Sequence, residues 1–252
     1  MRIDLNCDMG EGMENDGLLM PFISSANIAC GSHAGDADVM RRTVEMALEQ
    51  NVVIGAHPSY PDRENFGRVD LLDPGAGSTF QLEELTGIII HQLDALQKIC
   101  RDAGARLHHV KPHGALYNRA AKDPLVSAWI CRAVKAFDPS LLLYGLSGSH
   151  MQMEAERSGV PFVHEVFADR TYREDGSLTP RSEPHALIED PQQALRQVLK
   201  MVQEGKVEAV RGKEINLEAR TICIHGDGSQ AVAFAGLIHT ALLQRGVVVV
   251  AP

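Results

Sequence analysis

Short apolar runs rich in β-branched residues alternate along this 252-residue chain with longer segments of helical period, and that alternation admits few folds. Strands are expected near Ile3 to Asp8, Ala26 to Cys30, Val52 to His57, Leu107 to Lys111, Leu141 to Leu146, Phe162 to Phe167, Thr221 to His225 and Val247 to Val250. The clearest helices are Asp36 to Glu49, Leu82 to Ala103, Pro124 to Phe137, Pro191 to Glu204 and Ser229 to Gln244, with Asp36, Asp123 and Asp190 placed as caps. Parallel strands need crossover connections, and eight of them favour closure into a barrel over an open sheet. Length and an ordinary composition, 44% hydrophobic and 23% charged, fit one α/β barrel domain over residues 1–252. Two aperiodic stretches, Pro61 to Phe80 and Arg173 to Glu189, are expected to lie over the functional site.

The net charge of -9, with no compensating basic block, opposes the phosphate attraction that dominates nucleic-acid binding. No apolar run reaches the roughly 20 residues of a membrane span. The N-terminus MRIDLNCDMGE lacks the layout of a signal peptide, so a cytoplasmic protein is expected. Five scattered cysteines without a CxxC pair indicate buried thiols rather than a disulfide or zinc framework.

Chemistry-bearing side chains collect where the strands end. The first strand leads to Asn6, Asp8 and Glu11, the second to His33 and Asp36, and the third to His57. The fourth ends in Lys111 and His113, and later ones in His150, then Glu165, Asp169 and Arg170, then His225 and Asp227. Both barrels and open α/β sheets build their sites at the carboxyl ends of strands, so these groups are expected to converge. A lone histidine at a strand end is more often structural than functional. The strand starts (Asn51, Ala105, Ser140, Pro161) carry little chemistry, however, and that asymmetry points to an enzyme. His91, His185 and His239 are read as structural, and of His108 and His109 at most one can face the barrel interior.

Several standard signatures fail. His164 and Glu165 begin no HExxH, because residue 168 is Ala; GSHAG places His33 where a GxSxG serine would stand; and no Walker A loop occurs. Gly226, Gly228 and Ala231 match GxGxxA without the acidic residue a dinucleotide site requires. The turn can still present backbone N–H groups to an anion, so Gly226, Gly228 and Ser229 are candidate phosphate contacts. The densest segment is KPHGALYN, which sets Lys111, His113, Tyr117 and Asn118 around one strand end. Lysine can stabilise an oxyanion or phosphoryl oxygen, and histidine can move a proton near neutral pH. Asp8 with His33, His57 or His113 can equally assemble a divalent-metal site, and spacing alone does not choose.

Together, DLNCDMGE (Asp4 to Glu11), NIACGSHAGD (Asn27 to Asp36), GAHPSYPD (Gly55 to Asp62), FGR (Phe66 to Arg68), VKPHGALYN (Val110 to Asn118), EVFADRTY (Glu165 to Tyr172) and ICIHGD (Ile222 to Asp227) resemble the LamB/YcsF family, the A subunits of bacterial ATP-dependent 5-oxoprolinases. Ser32 and Val69 depart from that family's usual GFHAGD and FGRR, the second bearing on anion binding around Arg68.

The resemblance implies an irregular TIM-like β/α barrel of seven or eight strands, similar to polysaccharide deacetylase barrels, which bind a divalent metal through Asp and His. It also implies hydrolysis of 5-oxo-L-proline to L-glutamate, with ATP as co-substrate, in a complex with subunits B and C; a homo-oligomer is compatible with the same sequence. On that basis Asp8, His57, Lys111 and His113 are the expected catalytic residues. Lys111 would stabilise an oxyanion or phosphoryl group, His113 and His57 would transfer protons, and Asp8 would serve as base or metal ligand. Substrate contacts are expected from Asn6, Glu11, Arg68, Tyr117, Asn118, Glu165, Asp169, Arg170, His225 and Asp227, with Arg170 as a carboxylate clamp. A metal would engage Asp8, His33 and His57. The competing readings are a metal-dependent deacetylase or amidohydrolase working without ATP, and a non-catalytic subunit that binds small carboxylates.

Overall fold

The computed structural model describes residues 1–226 and 231–252. Its strands are β1 (Arg2–Met9), β2 (Ser25–Ala29), β3 (Val53–His57), β4 (Leu107–Val110), β5 (Leu142–Leu146), β6 (Phe162–Phe167), β7 (Lys206–Glu208), β8 (Glu214–Asn216), β9 (Thr221–Ile224) and β10 (Val248–Val249). Helices α1 (Asp16–Leu19), α2 (Ala37–Glu49), α3 (Leu85–Asp102), α4 (Gly114–Lys122), α5 (Pro124–Phe137), α6 (His150–Ser158), α7 (Pro191–Glu204) and α8 (Ala231–Gln244) connect or flank them.

Strands β1 to β6 pair in sequence order, and β9 closes the ring by pairing with both β6 and β1, so the barrel has seven parallel strands. The eighth predicted strand is not a stave. Its two residues pair only with Arg2 and Ile3 of β1, just before β9 takes over at Asp4. A VVVV run reads as a strand wherever it lies, and its sequence says nothing about ring closure. The antiparallel hairpin β7–β8 and the helices α1, α4 and α6 were not foreseen, being too short to show a period.

The alternation of β1 divides the molecule into two chemical zones. Ile3, Leu5, Cys7 and Met9 are buried in the apolar core, while the intervening Asp4, Asn6 and Asp8 face the barrel axis and bond to residues of other strands. At the floor, Asp4 accepts from Ser24, Ser25 and Thr221 at 2.6–2.8 Å. Burial raises its pKa, the three hydroxyls opposing the shift. The helices carry the caps the sequence announced: Asp36, Asp123 and Asp190 each accept from backbone N–H groups of the first turn of α2, α5 and α7. No described helix is long and apolar enough to cross a membrane.

Candidate active site

At the carboxyl end of the barrel the axis-facing residues form a charged cluster around Lys111. Its ammonium lies 2.8 Å from Asp8 Oδ1, 3.0 Å from Glu165 Oε1, 3.2 Å from Asn6 Oδ1 and 3.1 Å from Cys223 Sγ, and the residue is only 2% exposed. Burial works against the charge, but Asp8 and Glu165 outweigh it and hold the lysine well above its ordinary range. Asp8 responds in kind: burial favours its neutral acid, yet His57 and Lys111 hold the carboxyl well below the usual range. Asp8, Cys223 and His225 also approach closely enough to hold a cation, but the Lys111 ammonium already supplies the positive charge between Asp8 and Cys223.

Beside this cluster stands a group of imidazoles. His57 Nδ1 donates to the Lys111 carbonyl at 2.7 Å, and His113 Nε2 donates to the Phe66 carbonyl at 2.9 Å. Phe66 turns that carbonyl inward from a left-handed backbone conformation, φ 58°. With those nitrogens protonated, the remaining ones in the neutral rings are bare, and His57 Nε2 and His113 Nδ1 face each other at 2.9 Å. Glu11 Oε1 completes the group, 3.2 Å from His113 Nδ1 and 3.0 Å from His33 Nε2. Burial opposes the charge on Glu11, but the His113 and His33 imidazoles set against it hold its carboxyl well below the carboxylate range. Burial, only partly offset by Glu11, pushes His33 down to about 4.

Two lone pairs directed at one another and at a carboxylate repel unless a cation lies between them. Nitrogen and oxygen donors from Glu11, His33, His57 and His113, all within 4.8 Å of one another, suit a borderline divalent transition metal. The donor set could therefore hold a divalent metal, with Glu11, expected as a substrate contact, and not Asp8 as the carboxylate of the group, and with His113 among its imidazoles.

Both clusters open into a cavity of about 360 Å³. Its wall carries five cationic side chains, Arg68, Lys111, Lys122, Arg170 and Arg181, against the carboxylates of Asp8 and Glu11, an excess of positive charge that suits an anion. The two aperiodic stretches contribute Arg68 and the run Leu178 to Ser182 to this wall, as expected of them. Arg170 is 4% exposed and donates to the Thr179 and Ala186 carbonyls, which fix its guanidinium. Across the cavity His225 Nδ1 contacts both carboxylate oxygens of Asp169, at 2.9 and 2.8 Å. Burial would raise Asp169, but the His225 contact prevails and lowers it. Tyr117, now on α4, lines the wall; burial and Glu165 drive its phenol well above the ordinary range, and its hydroxyl finds no partner within hydrogen-bonding geometry among the described residues.

Asp8, Glu11, His57, Arg68, Lys111, His113, Tyr117, Asn118, Arg170, His225 and Gly226 all line the cavity. Asn6, Glu165 and Asp169 stand behind that wall and hold its residues, and His33 lies under His113, the two rings stacked at 3.8 Å. His150 begins α6 and does not line the cavity. Asp227, Gly228 and Ser229 lie outside the described residues. Sequence reasoning passed over Lys122, Thr179 and Arg181 on the wall, and Asn27 and Cys223 beneath it. Cys223 had a usable signal, since it shares the inward parity of its expected strand with His225.

The LamB/YcsF family profile matches residues 3–252. The chain is 50% identical to the A subunit of 5-oxoprolinase from Tolumonas auensis over 98% of its length and 97% of that protein. It is 46% identical to the A subunit of 5-oxoprolinase from Bacillus cereus, over 99% and 98%. Among solved structures, the lactam utilization protein from Thermus thermophilus superposes over the whole of both chains with a TM-score of 0.91 at 41% identity. Peptidoglycan deacetylase PdaC from Bacillus subtilis shares the fold alone, with a TM-score of 0.51 at 14% identity over 99% of this chain and 86% of that one. A profile match from end to end, joined to relatives this similar over their full length, places the chain in the LamB/YcsF family.

Proposed function

We propose that this chain opens the lactam ring of 5-oxo-L-proline to give L-glutamate, with ATP as co-substrate, as the A subunit of an assembly with subunits B and C. The observation that carries the reading is the Lys111 ammonium, held charged by Asp8 and Glu165 at the inner end of a small cavity with a cationic wall. Relatives of nearly the same length, named as the A subunits of 5-oxoprolinases, support the choice of lactam.

The chemistry explains the need for ATP. A five-membered lactam is a resonance-stabilised amide with a poor leaving nitrogen, and transfer of the γ-phosphoryl group of ATP to its oxygen, with ADP leaving, makes the ring carbon attackable. Arg170 and the other cations of the wall bind the substrate carboxylate, and Lys111 stabilises the phosphoryl oxygens joined to the reacting carbon. Asp8, paired with His57, takes the proton of the attacking water. The C–N bond then breaks with its electron pair going to the ring nitrogen, which receives a proton from His225 oriented by Asp169, and a second water cleaves the resulting acyl phosphate to L-glutamate and phosphate. Glu11, His57 and His113, with His33 beside them, would hold a divalent metal, and a bound metal supplies Lewis-acid polarisation of water or carbonyl oxygen.

The test is reconstitution with 5-oxoproline and ATP, using this chain alone, subunits B and C alone, and all three, following glutamate and phosphate. Glutamate formation only by the full set is expected. Glutamate from this chain without ATP, or chelator-sensitive deacetylation by this chain alone, would replace the reading with an ATP-independent amidohydrolase.

A further inference from the structure

His109 has no part in the chemistry above, yet it lies completely buried on the barrel axis. Its neighbours are specific. Tyr144 stacks on the ring at 4.0 Å and 11°, and Nε2 lies 2.7 Å from Asn27 Oδ1. Asn27 and His109 are not on adjacent strands: β3 runs between them, and the register sets Asn27, Gly55 and His109 in one row. The contact therefore spans two strand spacings, roughly 10 Å between backbones. Gly55 makes it feasible, because a Cβ there would stand 2.1 Å from His109 Nε2.

The bond has a direction. Asn27 Nδ2 is 2.7 Å from Asn6 Oδ1 and 2.9 Å from Asp8 Oδ1, both acceptors, so it must be the amide nitrogen and Oδ1 must accept from His109 Nε2–H. A reversed Asn27 amide would set its oxygen against the Asp8 carboxylate and the Asn6 carbonyl. With the amide held as it is, Asp8 Oδ1 is occupied by Asn27 and Lys111, and Oδ2 is left turned toward His57.

We propose that His109 is a positioning residue: acting through Asn27 across the Gly55 gap, it fixes which oxygen of Asp8 meets Lys111 and which is presented to the cavity. The contribution to turnover rests on the proposed ring-opening reaction; the geometric claim does not. His109 acts by donating a hydrogen bond, so a residue of the same shape without a donor fails, and a different shape with a donor at the Nε2 position succeeds.

The experiment compares His109→Phe and His109→Gln in the full assembly with 5-oxoproline and ATP, together with melting curves and crystal structures of this chain. Phe retains the stack on Tyr144 and removes the donor; Gln restores an N–H near the Nε2 position. For H109F we expect kcat lower by about 10- to 100-fold with little change in KM, and for H109Q recovery of most of that loss, the range typical when a partner orienting a site residue is removed. In the crystals, H109F should show a reversed Asn27 amide or a rotated Asp8 carboxylate, and H109Q the wild-type arrangement. Unchanged Asn27 and Asp8 in H109F would overturn the proposal whatever the assembly does. So would equal losses in both variants that follow their melting temperatures. Absence of turnover in the wild-type assembly would fail the ring-opening reading alone, and the crystallographic comparison would still decide the role of His109.

Discussion

His57 Nε2 and His113 Nδ1 lie 2.9 Å apart, and each ring's other nitrogen faces a backbone carbonyl. Two neutral imidazoles held this way present lone pair to lone pair, and Glu11 beside them adds negative charge. A divalent ion relieves the repulsion. The chain, dialysed against zinc or manganese and then against buffer, should retain metal by elemental analysis. H113A should abolish retention. D8N should leave it intact, because Asp8 is bonded to Lys111 and Asn27. Loss of metal in D8N with retention in H113A would assign the site to a different ligand set.

Lys111, central to the proposed ring opening, also bears on folding stability. Lys111→Met leaves the carboxylates of Asp8 and Glu165 buried without their cation, and breaking a buried ion pair in this way costs about 3–5 kcal/mol. Urea denaturation should show a loss of that size, partly restored when Asp8→Asn is added. A loss under about 1 kcal/mol, as for an exposed pair, would contradict the burial argument.

His225 depends on Asp169 for its orientation. Asp169→Asn removes the charge and disturbs the ring's tautomer, and it should lower kcat by about 10²–10⁴-fold, the usual share of general acid–base catalysis, with little effect on KM. A change confined to KM would make the pair a binding element.

The metal-free chain should lose stability in mild acid. Burial pushes His33 down to about 4 and His109 well below its ordinary value, whereas both titrate near 6.5 when unfolded. Below pH 6.5 the unfolded chain therefore binds more protons than the folded one, so stability falls with pH, and the His33 part is exhausted near pH 4. Between pH 6.5 and 5 His33 contributes a loss of about 2 kcal/mol, and His109 adds to it in the same direction. Urea midpoints at pH 7 and pH 5 measure this, and H109Q should show a shallower decline. Equal midpoints in the wild-type chain would rule it out.

The order of strands and helices was legible because apolar period survives in a single sequence, and the convergence of Asp8, His57, Lys111 and His113 on one cavity was legible because barrels gather polar groups at strand ends. The number of staves was not, since a strand of two residues and a stave share one pattern. The support beneath the site was hidden for a different reason. Asn27 and His109 lie within strands, where a polar residue gains meaning only once the register aligns it with a partner, and Gly55 contributes by having no side chain. The place of Glu11 beside His57 and His113 in one donor group likewise emerged only from the fold, with the Phe66 and Lys111 carbonyls orienting the two rings.

The most direct test of the central claim is glutamate formation from 5-oxoproline and ATP by an assembly in which this chain carries Lys111→Ala, with partner binding verified by gel filtration. Ring opening at this barrel mouth predicts an assembled complex that forms no glutamate. Glutamate formation at near wild-type rate would place the reaction elsewhere.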